Sequence, residues 1–343
     1  MIAKIRYIRH NVMKIVLIII AFAVLLVLPK ILPRYQVFLI SQAMTFAIVA
    51  LALNLLLNYG GMVSFGHAGF FGLGAYVVAF LQKYTPIREF WIAVLLAIIF
   101  SAMFAAVVGA VCTRAYGLYL SMLTLGFAHI LYVIMYKLWM WTGGSDGLPV
   151  DMPTIFGYDF SNVPRMDFIS NYFYYLILAL LLICVVSLWI IVKSPYGRIL
   201  EAIRDDEIRC KFLGISVSLH KWVAFIISGA FSGMSGALFA FLNGRVTPDL
   251  TLHWSLSMEI VFMALLGGFK TFIGPLVGAV CFTYLKTYAI ATTIFWEFIL
   301  GACLVVIILL LPRGIVGYLA DIRTFFAAKN YPKEGEKHGN SRM

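Results

Sequence analysis

The chain has 343 residues, of which 63% are hydrophobic and only 12% are charged. A soluble domain is roughly 45–50% apolar and about 25% charged, so a water-soluble globule is excluded as the main architecture. Disorder is excluded because the chain is too apolar. The net charge of +11 is typical of a membrane protein whose Lys and Arg collect in cytoplasmic loops. The five isolated cysteines argue against a disulfide framework or a zinc site.

Ten apolar segments predict membrane helices, since a helix needs about 20 apolar residues to cross a bilayer. The predicted spans are 15–32, 36–57, 62–82, 90–112, 118–138, 172–192, 222–243, 256–268, 276–291 and 295–311. The first follows four basic residues and is not followed by a small-residue cleavage site, so we expect it to be retained. The segment 256–268 is short for a full crossing, so we expect it inside the bundle or in a re-entrant hairpin.

The distribution of basic residues between these spans predicts the orientation. With a cytoplasmic N-terminus, the inner segments hold 18 of the 26 Lys and Arg and the outer segments hold six. This bias places both termini in the cytoplasm. We therefore expect an all-α, polytopic helical bundle, because backbone in lipid must satisfy its hydrogen bonds within each helix. It forms one domain over 1–320, with a cytoplasmic loop at 193–221, an external loop at 139–171 and a mobile cytoplasmic tail at 321–343.

The inner loop 193–221 carries the pattern of a short helix. Ser194-Pro195 predicts its start, with Ser as the N-cap and Pro in the first position. Its apolar residues lie on one side: Ile199, Leu200 and Ile203. A helix that is apolar on one side needs a cover, and two covers are open: membrane lipid or a cytoplasmic partner that docks there.

Charged residues occupy the rest of this helix. Glu201 and Arg204 are three apart, and Asp205 and Arg209 are four apart, so each pair can meet on a helix surface. Gly214 is suited to a C-terminal cap.

Two glycine-rich interruptions lie in separate halves of the chain. The first includes Gly60, Gly61, Ser64, Gly66 and His67, and the second includes Gly267, Gly268, Gly274 and Pro275. Paired interruptions of this kind indicate a translocation path, and tight helix packing explains them equally well. A broken helix also leaves free N–H groups that favour a carboxylate. For His67 we favour a structural role, because no second His or carboxylate lies near it in sequence.

A third glycine-rich pattern lies in the predicted span 222–243. Its small residues form a helix-packing face: Ser228, Gly229, Ser232, Gly233 and Gly236. We expect that face to contact another helix, within the chain or at a subunit interface. The stretch 233–236 also echoes the GxSG of rhomboid intramembrane proteases, but such chemistry needs a His in a later span, and none is present.

Six short motifs follow one another along the chain in the order in which one transporter family carries them. They lie at 60–71, 117–125, 142–147, 194–215, 259–275 and 312–314. Together they resemble the permease family of branched-chain amino-acid ABC transporters, LivM-like subgroup. The resemblance implies that the chain is not an enzyme but a permease subunit of the bacterial inner membrane. It implies a second homologous permease, two cytoplasmic ATPase subunits and an extracytoplasmic substrate-binding protein as partners, besides membrane lipid and without nucleic acid. Its cargo would be a branched-chain amino acid, with urea or another amino acid as the alternative.

The resemblance also assigns roles. It implies coupling to the ATPases by Glu201, Ala202, Arg204, Asp205 and Gly214. It implies an external loop formed by Thr142, Gly143, Gly144, Ser145 and Asp146. No cofactor or metal is expected on this chain, because it has no G-x-x-x-x-G-K-[ST] phosphate loop and ATP must be bound by another subunit. A stand-alone channel or secondary carrier, or an intramembrane protease, remains open as another class.

Overall fold

The computed structural model describes residues 23–160, 163–310 and 314–318, and most of these residues are helical. The helices are α1 (23–31), α2 (Arg34–Tyr59), α3 (His67–Tyr84), α4 (Phe90–Cys112), α5 (Leu118–Lys137), α6 (Arg165–Lys193), α7 (Pro195–Asp205), α8 (Glu207–Phe212), α9 (Val217–Asn243), α10 (Trp254–Gly267), α11 (Gly274–Thr292) and α12 (Trp296–Leu310). Residues 314–318 are also helical. A small antiparallel sheet pairs Leu148–Pro149 with Arg245–Val246.

Within the described residues, six helices are long and apolar enough to cross a membrane. They are α2, α4, α5, α6, α9 and the stretch Pro248–Gly267, which joins a short helix to α10. The chain is thus a mostly helical membrane protein. The count of ten segments and the cytoplasmic termini stay predictions, since residues 1–22, which include the first part of the span 15–32, and all of the tail 321–343 lie outside the described part.

Three helix starts differ from their predicted positions. Helix α3 begins at His67 and not at 62, because the preceding glycines form a non-helical segment. Helix α6 begins at Arg165 and not at 172, with a π-helical turn at Ile169–Phe173. Helix α9 begins at Val217 and not at 222, because the polar residues of its first turn find partners within the protein. Polar residues can extend a helix beyond its apolar stretch when they are paired.

The core lies around α2 and α9. In their most apolar stretches, 89% of α2 and 78% of α9 is buried within the chain, against 28% of α5. Helix α9 packs against α2, α3 and α4. Helix α5 therefore lies at the periphery.

The packing face predicted on α9 lies inside the chain and not at a subunit interface. All five of its residues are buried: Ser228, Gly229, Ser232, Gly233 and Gly236. A Cβ at Gly236 would collide with the Phe71 carbonyl oxygen on α3, and one at Gly233 would collide with Ser101 on α4. The small residues let three helices approach closely.

Hydroxyl groups join this face to its neighbours. Ser228 donates to the Ala52 carbonyl oxygen (2.7 Å), and Ser235 donates to the Thr45 carbonyl oxygen (2.6 Å). Because its own proton is committed, Ser228 accepts from the His67 Nε2–H (2.8 Å). His67 is fully buried. Its hydrogen bond to Ser228 supports the structural role predicted for it.

A partly buried ion pair joins α10 and α11. Lys286 Nζ lies 2.6 and 2.8 Å from the two carboxylate oxygens of Glu259. A charge within a bilayer is costly unless it is paired, so this contact explains how the spanning region holds both ions.

Candidate functional site

The segment 194–214, for which the family resemblance implies coupling to the ATPases and which is called the coupling segment below, folds as two short helices. Ser194 accepts from the Gly197 N–H and Pro195 occupies the first turn of α7, which confirms the predicted start. Asp206 interrupts the helix in extended conformation, and its side chain caps α8 by accepting from the Arg209 N–H (2.9 Å).

Helix α8 ends at the predicted glycine cap. Gly214 has φ = +81°, its N–H donates to the Lys211 carbonyl (3.0 Å), and the Ile215 N–H donates to the Cys210 carbonyl (3.1 Å). These two bonds form a Schellman motif, which glycine favours because the left-handed conformation strains other residues.

The apolar side of α7 is covered by the protein itself. Leu200 and Ile203 are buried (0% and 2% exposed). Ile203 packs with Cys210 and Val217, which joins α7 to α8 and α9. Both expected covers, lipid and a docked partner, are therefore wrong for this side. The segment is attached to the bundle through its apolar side and presents the other side outward.

Arg204 is the main polar contact between the coupling segment and the bundle. Its Nη1 donates to the Asn58 carbonyl oxygen (2.7 Å) in the last, π-helical turn of α2. Its Nε and Nη2 donate to Asp205 Oδ1 (2.9 and 2.8 Å). The predicted Glu201–Arg204 and Asp205–Arg209 pairs do not form among the described residues, so that expectation was wrong. Arg204 turns toward α2, and the break at Asp206 separates the second pair.

Gly61 accommodates this arginine. It has φ = +63°, and a Cβ there would lie 2.8 Å from Arg204 Cγ. Only glycine fits both this conformation and this contact without strain. The first glycine-rich interruption therefore includes the residue against which the Arg204 side chain packs.

A second polar cluster holds α8 against the bundle. Glu207 accepts from Lys221 (2.6 Å) at the start of α9 and from Lys211 (3.1 Å) on its own helix. Lys211 also donates to the Tyr116 hydroxyl (2.9 Å), and both lysines lie over the Tyr116 ring. Burial alone would raise the pKa of Glu207, but the hydrogen bonds from Lys221 and Lys211 hold that pKa below its usual value.

A cavity of about 150 Å³ lies between these two clusters. Its wall includes Gly60, Gly61, Tyr116, Arg204 and Lys221. The coupling segment therefore faces the end of α2 and the connection after α4 across open space.

The second interruption contacts the same helix end. The Asn54 side-chain amide lies 3.4 Å from the Thr271 carbonyl oxygen, in the connection between α10 and α11. Asn54 lies one turn before Asn58, which Arg204 contacts. Both interruptions thus lie at the end of the bundle that carries the coupling segment.

The other predicted path residues lie in helix contacts. Ser64 and His67 are buried, and Gly66 packs on Thr124. Gly267 and Gly274 meet each other where α10 and α11 cross, Gly268 has φ = +105°, and Pro275 is the second residue of α11. The glycines among these residues allow neighbouring segments to approach closely.

The expected free N–H groups are absent where α3 begins. The Phe65 N–H donates to the Thr124 hydroxyl (3.1 Å), the Gly66 N–H to Ser64 (3.3 Å), and the Ala68 N–H to Ser257 (3.0 Å). The expectation of a carboxylate site at these groups is therefore wrong, because neighbouring hydroxyls already satisfy them.

The loop 142–147 lies at the opposite end of the bundle. Thr142 is buried and donates to the Met135 and Leu138 carbonyls (2.6 and 2.9 Å), which fixes the loop on α5. Gly143 and Gly144 have positive φ, and Ser145 and Asp146 are exposed. The loop is thus a rigid turn with two polar side chains facing outward.

Exposed apolar side chains mark the outward side of α8. Ile208, Phe212 and Leu213 are 68%, 88% and 73% exposed. On α7, Glu201 is partly buried, and Ala202 and Asp205 are exposed. Large apolar groups clustered at a surface indicate a contact with a protein or with the membrane.

Several residues of this candidate site were not found by sequence reasoning. Asn58 and Tyr116 gave no signal, because their partners lie far away in sequence. Glu207 and Lys211 had one, since a Glu four residues before a Lys predicts a helix pair. Lys221, a charge directly before the predicted span 222–243, was a second readable signal.

A family model described as the permease component of branched-chain amino acid transport systems matches residues 35–308. The chain is 32% identical over 305 residues to the high-affinity branched-chain amino acid transport system permease protein LivM of Salmonella typhimurium, covering 84% of this chain and 71% of that protein. It is 30% identical over 326 residues to LivM of Escherichia coli, covering 90% and 76%. Half of the chain (50%) is 26% identical to the autoinducer 2 import system permease protein LsrC of Klebsiella pneumoniae, covering 49% of that protein. No solved structure matches significantly.

Proposed function

The chain belongs to the family of permease components of branched-chain amino acid transport systems, and from that premise we propose that it is the permease subunit of an ABC importer. It is a multi-pass protein of the inner membrane. Separate ATPase subunits supply the energy, a second homologous permease completes the path, and an extracytoplasmic binding protein delivers the cargo. The cargo proposed is leucine, isoleucine or valine. The match to an autoinducer 2 permease over half of the chain makes a different cargo the alternative.

One observation carries the proposal. The coupling segment is attached to the end of α2 by Arg204 on one side, and it exposes Ile208, Phe212 and Leu213 on the other. A partner that binds these apolar groups can transmit its movement through Arg204 to α2 and to both glycine-rich interruptions. Such a segment has no use in a channel or carrier that works without an ATPase.

The topology proposed places this segment, and both termini, in the cytoplasm. About ten membrane segments form one domain over 1–320, with a cytoplasmic tail at 321–343 and the loop 142–147 outside. Alternating access then opens and closes the path as the helices rock around it. The protease alternative loses support, since Ser235 is buried and its hydroxyl is bound to a backbone carbonyl.

The test separates ATPase binding from transmission. Phe212→Ser should weaken co-purification of the ATPase subunits by about thirtyfold, because an exposed aromatic anchor contributes about 2 kcal/mol to an interface. Arg204→Met should leave ATPase binding unchanged and lower ATP-driven leucine uptake by about tenfold, because its charged hydrogen bond to the Asn58 carbonyl, which links the segment to α2, is lost. Leu219→Ser, at an exposed apolar position on α9, is the matched control and should behave as wild type.

Two results would contradict the proposal. Leucine uptake by this chain alone in liposomes, without ATPase subunits, would favour a channel or carrier. Full uptake and full ATPase binding in the Phe212→Ser and Arg204→Met variants would remove the coupling role.

A further inference from the structure

Aromatic side chains and a carboxylate meet at the end of the bundle opposite the coupling segment. This distal cluster consists of His129, Tyr132, Tyr136, Asp249, His253 and Trp254. Its members come from α5, from the short helix Pro248–Thr251 and from the start of α10. Neither the sequence motifs nor the coupling role uses any of them.

Tyr132 is the centre of the cluster. Its hydroxyl donates to Asp249 Oδ1 (2.8 Å). Its ring stacks on His129 (centroids 5.6 Å apart), meets the edge of His253 (5.4 Å) and lies 5.8 Å from Tyr136. These contacts hold the Asp249 carboxylate beside several aromatic rings.

The cluster is open on one side. Tyr136 and Trp254 are 44% and 47% exposed, and His129 and Asp249 are also exposed. Gly126, one turn before His129 on α5, faces open space. Ionisable groups on a membrane helix rarely face lipid, and they mark aqueous paths. This side of α5 therefore borders water or a protein partner.

The chemistry of the cluster selects a cation. A carboxylate binds an ammonium group through charge-assisted hydrogen bonds, and aromatic faces attract the same group through their π electrons. The cluster includes no Lys or Arg that would attract an anion. Among the described residues no group of three metal-binding side chains occurs, so an organic ammonium fits better than a metal ion.

We propose that the distal cluster receives the ammonium group of the transported amino acid as it enters the path. This inference rests on the proposed function, since the cargo must carry an ammonium group. Asp249 contacts the cation, Tyr132 positions Asp249, and Tyr136 and Trp254 contribute ring faces.

The first experiment measures leucine uptake and ATP hydrolysis by the full complex in liposomes, with saturating binding protein. Asp249→Asn should lower the leucine transported per ATP by about tenfold, because the charged partner of the ammonium is lost. Trp254→Leu should lower it by about threefold. The control is Asp151→Asn, since Asp151 is exposed and its ion pair with Arg88 is long, at 3.7 Å. It should behave as wild type.

The second experiment measures competition for radiolabelled leucine on the complex without binding protein. Isopentylamine, which keeps the ammonium, should compete better than 4-methylpentanoic acid, which lacks it, and Asp249→Asn should abolish this preference. Equal competition in the wild type, an unchanged preference in the variant, or uptake and ATP hydrolysis falling together would overturn the proposal. A wild-type complex with no ATP-driven leucine uptake would instead overturn the proposed function.

Discussion

Helices α5 and α9 have the same mean hydropathy in their most apolar stretches, yet they occupy different places in the bundle. Helix α9 is surrounded by α2, α3 and α4, whereas α5 lies at the edge. Gly233 and Gly236 of α9 touch other helices, while Gly126 of α5 touches none of the described residues. Hydropathy therefore indicates that a helix lies in the membrane, and it does not indicate how deep the helix lies in the bundle.

The spacing of small residues carries the missing information. On α9, serine and glycine recur every three to four residues and form a continuous face, so neighbouring backbones can approach it. Helix α5 has larger side chains on its open side, together with an exposed histidine. We infer that α9 holds the bundle together and that α5 is free to contact the path or a partner.

The largest expected effect is a leucine substitution at these two glycine sites. Gly236→Leu should lower the free energy of unfolding by about 3 kcal/mol, because its Cβ would overlap the Phe71 carbonyl oxygen. Gly126→Leu should change it by less than about 0.5 kcal/mol, because that site is open. Thermal unfolding in detergent measures both. Equal melting temperatures for the two variants would contradict the assignment of core and edge.

The two histidines give the second comparison. His67→Ala should lower the free energy of unfolding by about 2 kcal/mol, because it leaves a void beside Ser228 and removes a buried hydrogen bond. His129→Ala should leave unfolding unchanged, since His129 is exposed, and should affect transport instead. Thermal unfolding and leucine uptake, measured on both variants, check this. A destabilised His129→Ala with a stable His67→Ala would reverse the comparison.

Local signals in the sequence predicted local structure well. The cap at Ser194, the Schellman glycine at Gly214 and the packing face of α9 depend on neighbouring residues, and all three are present. The partner of Arg204 was mispredicted because helix spacing compares only residues on one surface. Its acceptor, the Asn58 carbonyl, lies 146 residues away. Contacts of that kind depend on how helices pack, which no local pattern encodes.

The smallest expected effect concerns Glu207 on α8, which binds Lys221 near the start of α9 and Lys211 on its own helix, beside Tyr116 in the connection that leads to α5. The lysines hold the pKa of Glu207 below its unfolded value of 4.5. Glu207 therefore stabilises the fold fully above pH 4.5, and its contribution, about 1 kcal/mol, is lost as the pH falls through the lowered pKa.

Glu207→Gln should unfold at a lower temperature than wild type at pH 7 and should lose less stability on acidification. Glu297→Gln, at an exposed position on α12, is the control. Melting curves between pH 7 and pH 3 measure this, and identical acid sensitivity of wild type and Glu207→Gln would show that the ion pair does not hold α8 against α9.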